Sequence, residues 1–206
     1  MWAETARALA ARIGIKVILL EHPTPLKVVE CLQVGECDAA FLGLAARFVD
    51  AADFSSPFIQ FDYTLLVPAG SPIGSVTDAD RPGVRITAVH DHASTLALSQ
   101  MLRQAELMFG DAPDSAFELL RTGRAHALAS TRPALIQFSA LLPGSRVLET
   151  PYGSNFHRVA VPKGHARRLS YINEFIEDAK ISGLLQSAIE RTGPRGIKVL
   201  PPGNSH

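Results

Sequence analysis

Apolar residues at the start of the chain recur with the period of an α-helix. Trp2, Ala6, Leu9 and Ile13 are spaced by four, three and four residues, which places them on one helix face. Gly14 follows, and glycine is the residue that most often caps a helix in the left-handed conformation. The pattern predicts a first helix that ends before this glycine.

Patterns typical of strands and of helices then alternate. The segment KVILL (residues 16–20) predicts a buried strand, and CDAAFLGL (37–44) predicts another. Between them, TPLKVVECLQVG predicts a helix that Thr24 opens, with Pro25 at its first position and Gly35 after its end. This order of helix, strand, helix and strand favours an α/β fold with mostly parallel strands and right-handed crossovers.

The rest of the chain continues the alternation. Strands are predicted in the segments VRITAV, AHALAS, SRVLET and RVAVPKG. Helices are predicted in STLALSQMLRQA, SAFELLRTG, RPALIQFSALL, RRLSYINEFIEDAKISG and LLQSAIERTG. Ser115 and Glu118 have the spacing of a capping box at a helix start. The Pro- and Gly-rich tail PRGIKVLPPGNSH is expected to be irregular.

Two pairs of segments resemble each other. ECLQVGECDAA (residues 30–40) and ELLRTGRAHAL (118–128) share Glu, Leu, Gly and Ala at the same spacing, each in the predicted order helix, glycine and strand. LLVPAG (65–70) and VAVPKG (159–164) share Val-Pro-x-Gly. We interpret the first pair as equivalent units of two related lobes, and the second pair as two strands that join those lobes.

Composition and charge exclude several classes of function. The chain of 206 residues is long enough for two lobes of about 100 residues, each with its own core. Its 20 basic and 20 acidic residues cancel, and no basic run marks a nucleic-acid site. No apolar run approaches the roughly 20 residues of a membrane-spanning helix. The N-terminus lacks the pattern of a secretory signal, so we expect either an intracellular protein or a natural start upstream of Met1.

The chain has two cysteines, Cys31 and Cys37. Because there is no second pair, neither a zinc site nor a disulfide framework is indicated. We interpret both cysteines as small buried hydrophobic residues, and we predict no metal site and no cofactor.

Several motifs resemble the periplasmic solute-binding proteins of ABC importers, in family 3, which includes the polar amino-acid binders. The motifs occur in the family's order: VVECLQVGECDAAFLG, VDAADFSSPF, LLVPAGSPIGSVTD, FELLRTGRAHALASTRPAL, RVAVPKG and INEFIEDAKISGLLQSAIER. The resemblance covers most of the chain. It implies the type 2 periplasmic binding fold, in which two α/β lobes with mixed sheets flanked by helices are joined by a two-strand hinge. Lobe 1 would comprise residues 1–66 plus 158–206, and lobe 2 residues 67–157.

The resemblance also implies a function. Members of this family bind a small polar solute between lobes that close around it, and they deliver the solute to the membrane subunits of an ABC importer. We therefore expect an amino-acid-like or carboxylate ligand, a periplasmic location and no catalytic activity. Two alternatives are an enzyme on the same fold, similar to cyclohexadienyl or arogenate dehydratases, and a truncated relative without a transport function.

One part of the family's pattern is missing. Members begin with a strand and a ligand-contacting loop before the first helix, whereas this chain begins at the helix. A missing interior strand would leave backbone groups unpaired. We expect either an upstream strand or completion of lobe 1 by a partner chain, as in a homodimer.

Arginine residues provide the first candidates for ligand binding. Arg47 lies near the place where amino-acid binders of the family carry an arginine that grips the ligand carboxylate. Where such binders carry an acidic residue for the ligand ammonium group, this chain has Ser130, Thr131 and Arg132. The resemblance therefore implies a carboxylate or another polar anion, with Arg132 as a second grip. For Thr131, the alternative to ligand contact is a helix N-cap before Pro133.

Further candidates lie at the two joining strands. Tyr63 and Thr64 open the first of these strands, and Asn155 precedes the second. In the family, residues at both places commonly face the ligand. The alternative interpretation for all three is ordinary strand packing.

The segment VHDHAST (residues 89–95) leads from a predicted strand into a predicted helix. In the family, Gly followed by Ser or Thr at this turn offers N–H and hydroxyl groups to the ligand carboxylate, which assigns Ser94 and Thr95 to the ligand. His90 and His92 lack an obvious third metal ligand, so we interpret them as shaping the polarity of the site. A protonated His92 would favour an anion, and its loss would then weaken binding more at pH 6 than at pH 8.

Overall fold

The computed structural model describes residues 1–22, 24–43, 48–192 and 195–203. The chain forms two compact units, of which unit 1 comprises Met1–Gln60 and Phe156–His206, and unit 2 comprises Phe61–Asn155. The chain passes between the units within two strands, Ile59–Val67 and Gly153–Pro162.

Unit 1 begins with two helices that match the predicted ones. Helix α1 (Trp2–Ile13) ends at Gly14, whose φ of 80° is the left-handed cap conformation. Helix α2 (Pro25–Gln33) follows Thr24, whose side chain accepts a hydrogen bond from the N–H of Lys27. Local signals thus suffice for both helices and for their caps.

The strands of unit 1 pair largely in antiparallel fashion. Strands β1 (Ala40–Gly43) and β2 (Ala52–Phe54) both pair with β8 (Gly153–Pro162). Strand β9 (Ile197–Val199) pairs with β3 (Ile59–Val67). Two helices, α7 (Ala166–Ile181) and α8 (Leu184–Thr192), complete the unit.

Two sequence predictions for unit 1 are wrong. The tail is not wholly irregular, because half-buried Ile197 and Val199 alternate with exposed Lys198 in β9. The predicted strand KVILL is not a strand: residues 15–20 have exposed side chains, and Ile18 is 84% exposed. A strand-like sequence forms a strand only beside another strand, and no described residue pairs its backbone with residues 16–21.

The two cysteines of unit 1 form a disulfide bond, which the sequence interpretation did not expect. Helix α2 ends at Gln33, and Gly35 then adopts a left-handed φ of 77° that turns the chain back. The turn brings the Cα atoms of Cys31 and Cys37 to 5.3 Å, which is within the normal range for a disulfide.

Unit 2 is built on parallel strands with antiparallel neighbours. Strand β4 (Arg85–Val89) pairs in parallel with both β5 (Glu106–Gly110) and β6 (Ala127–Thr131). Strand β3 pairs antiparallel with β6 and with the short strand β7 (Arg146–Val147). The expected parallel arrangement therefore holds for β4 to β6, and the sheet of unit 2 is mixed because β3 and β7 run antiparallel to their neighbours.

Four helices connect the strands of unit 2: α3 (Val76–Ala79), α4 (Ala93–Met101), α5 (Pro113–Arg121) and α6 (Arg132–Ala140). Alternation along the strands sends successive side chains to opposite faces of the sheet. Leu65 and Val67 pack in one buried cluster with Ile86 and Leu98. Leu66 packs in another, with Phe117 and Leu135. None of the helices in the described part of the chain is long and apolar enough to cross a bilayer.

One helix end and one strand in unit 2 differ from the predictions. Helix α4 stops at Met101, because the Asp80 carboxylate accepts the N–H groups of Arg103, Gln104 and Ala105 and holds the chain in a turn before β5. Strand β5 was not predicted.

The predicted capping box at the start of α5 is also wrong. The helix begins at Pro113, two residues before Ser115, whose hydroxyl accepts the N–H of Ala112. Glu118 instead pairs with Arg121 at 2.6 Å on the exposed helix surface.

Candidate functional site

Polar side chains of unit 2 gather where its parallel strands end. Strands β4 and β6 end at the same edge of the sheet, and each leads into a helix. His92 is the residue before α4, and Thr131 is the residue before α6. Free N–H groups at helix N-termini attract anionic groups, so this edge is the candidate site in unit 2.

Tyr63 and Asn155 meet at this edge. Tyr63 is buried, and in the β3–β6 pairing it lies opposite Thr131. The Asn155 side chain lies near the Tyr63 hydroxyl, where it acts to lower the pKa of the phenol. Burial raises the pKa of Tyr63 against the opposing effect of Asn155, so the phenol is neutral and available as a hydrogen-bonding group.

Tyr152 links this pair to the start of α4. Its ring centroid lies 6.0 Å from that of Tyr63, and its hydroxyl donates to the Ser94 carbonyl at 3.1 Å. Burial raises the pKa of Tyr152, which keeps its hydroxyl protonated as a donor. Sequence reasoning missed this residue. Its position just after a predicted strand and three residues before Asn155 could have indicated that it belongs to the site.

The predicted donors at the start of α4 are engaged within the fold. The Ser94 hydroxyl and the His92 Nδ1 atom are 2.7 Å apart, and the Ser94 N–H donates to the same nitrogen at 3.4 Å. The Thr95 hydroxyl donates to the Val89 carbonyl at 2.7 Å. These side chains therefore cap and anchor the helix. The N–H of Ala93 makes no hydrogen bond to any residue that the structure describes.

His92 is not poised to carry a positive charge. Burial lowers its pKa below the usual value, and its Nδ1 atom acts as an acceptor for the Ser94 N–H. The imidazole is therefore neutral near pH 7. The expected difference between pH 6 and pH 8, which assumed a protonated His92, is not supported by this environment.

Thr64 is fully buried and has a structural contact. Its hydroxyl lies 2.8 Å from the Leu148 carbonyl, to which it donates, and 3.2 Å from that of Thr150. This contact fixes β3 to the segment that follows β7, which agrees with the strand-packing interpretation.

Arg132 is held by a buried carboxylate that the sequence analysis did not single out. Its side chain is 12% exposed, and its Nε atom lies 3.7 Å from Oδ2 of fully buried Asp62. Its Nη2 atom donates to the Glu149 carbonyl at 2.7 Å, and the Ser154 hydroxyl donates to Asp62 at 3.0 Å. A buried charge requires a partner, so the position of Asp62 within an otherwise apolar segment could have indicated an ion pair of this kind.

Thr131 occupies the N-cap position of α6, as one of its two interpretations required. Its side chain nevertheless makes no capping hydrogen bond, and within the described residues its hydroxyl has no partner. The hydroxyl is thus available beside Tyr63.

Two other candidates were selected from the sequence. Arg47 falls outside the described residues. His90 is exposed, with its Nδ1 atom 3.1 Å from Oδ2 of Asp91, and its ring packs edge-on against Phe109 at 5.0 Å. Asp91 has a φ of 55°, a left-handed conformation that aspartate adopts more readily than most residues.

One group of potential metal ligands occurs among the described residues, and it lies in unit 1. It comprises His22, Cys31 and Cys37, with His22 Nε2 at 3.9 Å from Cys37 Sγ. Metal binding by cysteine requires a thiolate, and both sulfurs are joined in the disulfide. The group is therefore not a metal site while that bond is intact.

Comparison with known proteins gives similarities at the level of structure. No protein-family model matches the sequence, and no curated protein matches it. A putative ABC-transporter binding component from Wolinella succinogenes DSM 1740, complexed with lysine, is 21% identical with a TM-score of 0.78, over 92% of this chain and 83% of that one. An ancestral cationic amino-acid solute-binding protein is 24% identical with a TM-score of 0.77, over the same shares.

The chain has the two-lobed α/β fold of the amino-acid solute-binding proteins. The fold predicted from the ordered motifs is therefore confirmed. A further structure with this fold, 23% identical with a TM-score of 0.71 over 92% of this chain and 82% of that one, is described as an ancestral amino-acid-binding protein and a precursor of cyclohexadienyl dehydratase.

Proposed function

We propose that the protein binds a small polar solute, amino-acid-like or a carboxylate, as the solute-binding component of an ABC importer in the periplasm. Units 1 and 2 would correspond to its two lobes. The membrane subunits of the importer would be its partners, and the protein would carry out no chemistry on the solute.

A single observation supports the binding role most directly. Thr131 has a hydroxyl without a hydrogen-bonding partner in the described chain, next to Tyr63 and at the start of a helix, with Asn155 close to the Tyr63 hydroxyl. The unpaired N–H of Ala93 lies at the start of the neighbouring helix. Such donors suit a carboxylate, which accepts several hydrogen bonds.

The cationic groups of the proposed site have unequal support. Arg132 contributes positive charge, but Asp62 offsets much of it and fixes the guanidinium in place. Arg47 remains a proposed ligand grip on the resemblance alone. We therefore expect binding to depend on hydrogen bonds from Thr131 and Asn155 at least as strongly as on Arg132.

The first experiment is a thermal-shift screen of the purified protein against amino acids, carboxylates and amines. A ligand at 100 times its dissociation constant stabilises the folded protein by about 2.7 kcal/mol, which a melting curve resolves readily. We expect one chemical class to raise the melting temperature. Absence of a shift with every class would argue against the binding role.

Calorimetric titration of variants then locates the site. Thr131→Val and Asn155→Ala should each raise the dissociation constant about tenfold, since a hydrogen bond is worth about 1 kcal/mol or somewhat more. Thr122→Val is the matched control, because Thr122 follows the end of α5 in unit 2 and precedes β6, whereas Thr131 lies where β6 ends. Equal affinity of all three variants and the original protein would place the ligand elsewhere.

A second candidate function is catalysis on a cyclohexadienyl acid. It is favoured by the pairing of His90 with Asp91 at the candidate edge of unit 2, together with the description of one similar structure as a dehydratase precursor. Incubation with prephenate or arogenate, followed by absorbance of the aromatic product, tests it. Turnover that disappears in His90→Ala or His92→Ala would assign an enzyme rather than a binding protein.

A further inference from the structure

Three side chains of unit 1 bring one nitrogen and two sulfur atoms together. Cys31 is buried, and His22 and Cys37 are partly buried. Their ligand atoms, His22 Nε2 and the two Sγ atoms, all lie within 4.8 Å of one another. Sulfur and imidazole nitrogen are the ligands that zinc prefers in proteins. Because the disulfide prevents either sulfur from acting as a thiolate, the group is able to bind a metal only in the reduced protein.

The loop that carries the two cysteines is held by backbone contacts as well as by the disulfide. The N–H groups of Glu36 and Cys37 both donate to the Cys31 carbonyl at 3.1 Å. Gly35 supplies the left-handed φ of 77° on which this turn depends. None of these contacts involves a sulfur atom. We therefore expect the two thiols to stay side by side after reduction.

Packing also fixes the position of both cysteines. Cys37 packs against the buried cluster of Leu32, Ala52 and Ala160. Leu32, which directly follows Cys31 in α2, is 1% exposed. This part of the helix is therefore attached to the core of unit 1 by apolar contacts that reduction of the disulfide leaves in place.

We propose that His22, Cys31 and Cys37 form a zinc site when the disulfide is reduced. In a tetrahedral site zinc lies about 2.3 Å from sulfur and about 2.0–2.1 Å from imidazole nitrogen, so these two ligand atoms are about 3.6 Å apart. The distance from His22 Nε2 to Cys37 Sγ is 3.9 Å. The imidazole is thus already close to the position that a zinc ligand requires.

Reduction is a two-electron step whose reductant is a dithiol of the Cys-x-x-Cys class. A thiolate of the dithiol attacks one sulfur, and the bond between Cys31 and Cys37 breaks. The dithiol supplies both electrons and both protons, and it becomes a disulfide itself. The two cysteine sulfurs become thiols. When zinc binds, both thiols lose their protons to water.

The charges of the proposed site suit a largely buried position. Two thiolates cancel the charge of Zn²⁺, and His22 binds as a neutral imidazole, so no net charge is buried. Cys31 lies in the last turn of α2, where the helix dipole favours a cation. Three protein ligands leave the fourth position of the tetrahedron for water. This inference stands whether or not the protein binds a solute, because these residues take no part in the candidate site of unit 2.

Competition with a chromogenic zinc chelator measures the site in the full chain, prepared without a histidine tag. The protein is tested in the oxidised form and after reduction by a water-soluble phosphine, which becomes a phosphine oxide and has no thiol to bind zinc. We expect a single zinc ion per reduced chain and none on the oxidised chain. No uptake by the reduced protein, or equal uptake by both forms, overturns the proposal.

Histidine variants test the third ligand. His22→Ala should raise the dissociation constant of zinc from the reduced protein at least about tenfold, since loss of even a second-shell partner costs about 10–100-fold. His165→Ala is the matched control, because His165 is an exposed histidine of the same unit. An unchanged affinity in His22→Ala would limit the ligands to the two thiols and overturn the three-residue site.

Cobalt and hydrogen exchange test the coordination and the fold. Co²⁺ bound to the reduced protein should give thiolate charge-transfer absorption and the visible bands of tetrahedral cobalt, and Cys31→Ser should lose the charge-transfer absorption. Zinc should also slow amide exchange in α2 of the reduced chain and leave β4 and β6 unchanged, which shows binding to folded unit 1. An octahedral cobalt spectrum, or α2 amides that do not respond to zinc, would exclude the site.

Discussion

His157 shows how burial at a single position couples stability to pH. Its ring stacks on Trp2 in unit 1, with the two ring centroids 5.3 Å apart. Burial lowers the pKa of His157 to about 4, because the charged imidazolium loses its hydration in this environment. The unfolded chain keeps the usual value near 6.5 and therefore binds the proton more readily than the folded chain.

We predict a loss of stability as the pH falls from about 6.5 toward 4, with a slope of up to about 1.4 kcal/mol per pH unit from this residue. Above pH 6.5 the contribution is complete, since His157 is neutral in both states. His157→Phe keeps an aromatic ring beside Trp2 and removes the titration. Urea unfolding at several pH values should show a shallower pH dependence for this variant, while His165→Phe at an exposed site should retain the original slope.

At the scale of elements, the close packing of β5 against α5 requires a glycine at position 110. Strand β5 ends at Gly110, and a Cβ atom there would lie 2.7 Å from the Cα of Ala116 and closer still to its N–H nitrogen in α5. Contacts of this kind with backbone atoms cannot be relieved by a side-chain rotation. The start of α5 therefore packs against the end of β5 only when residue 110 is glycine.

We predict that Gly110→Ala lowers the free energy of unfolding by about 1–3 kcal/mol, the usual cost of overpacking a core. Denaturant titration measures the change. Gly74→Ala is the control, because its new Cβ atom would meet only the flexible Asp78 carboxylate at 3.1 Å. A neutral Gly110→Ala would mean that α5 can move away from β5 without cost.

Element boundaries were harder to predict than the elements themselves. The cap of α1 and the Thr24 cap of α2 depend on residues adjacent in sequence, and both were predicted correctly. The end of α4 depends on Asp80, more than twenty residues away, whose carboxylate accepts three backbone N–H groups. No pattern within the helix itself signals that contact.

At the scale of the whole molecule, the two units differ in whether a disulfide bond stabilises them. The Cys31–Cys37 disulfide lies in unit 1, and the described residues of unit 2 contain no cysteine. Closing a loop with a sequence separation of 6 removes some freedom from the unfolded chain and is worth about 2 kcal/mol.

We predict that replacing both cysteines by alanine destabilises unit 1 by about that amount and leaves unit 2 unchanged. Hydrogen exchange followed by mass spectrometry distinguishes the units. Amides of α2 and β1 should exchange faster in the double variant, while those of β4 and β6 should keep their original rates. Equal acceleration in both units would mean that they unfold as a single cooperative body.

The sequence indicated where the candidate residues lie along the fold better than it indicated which contacts they make. Tyr63, Thr131 and Asn155 were selected from their places beside predicted strands, and the fold brings them together. Ser94 and Thr95 were selected for donor groups that the structure uses to cap and anchor α4. Their sequence positions could not reveal which acceptors the fold would place beside them.

Sequence alone determined the alternation of helices and strands, the order of motifs and hence the fold, because hydrophobic period and capping signals are local. Only the tertiary structure decided which side chains and backbone groups find partners. It paired Arg132 with buried Asp62, joined the two cysteines and left KVILL exposed. The pair Arg132 and Asp62 joins residues that are far apart in sequence, and among the described residues no strand lies beside residues 16–21 to pair with their backbone.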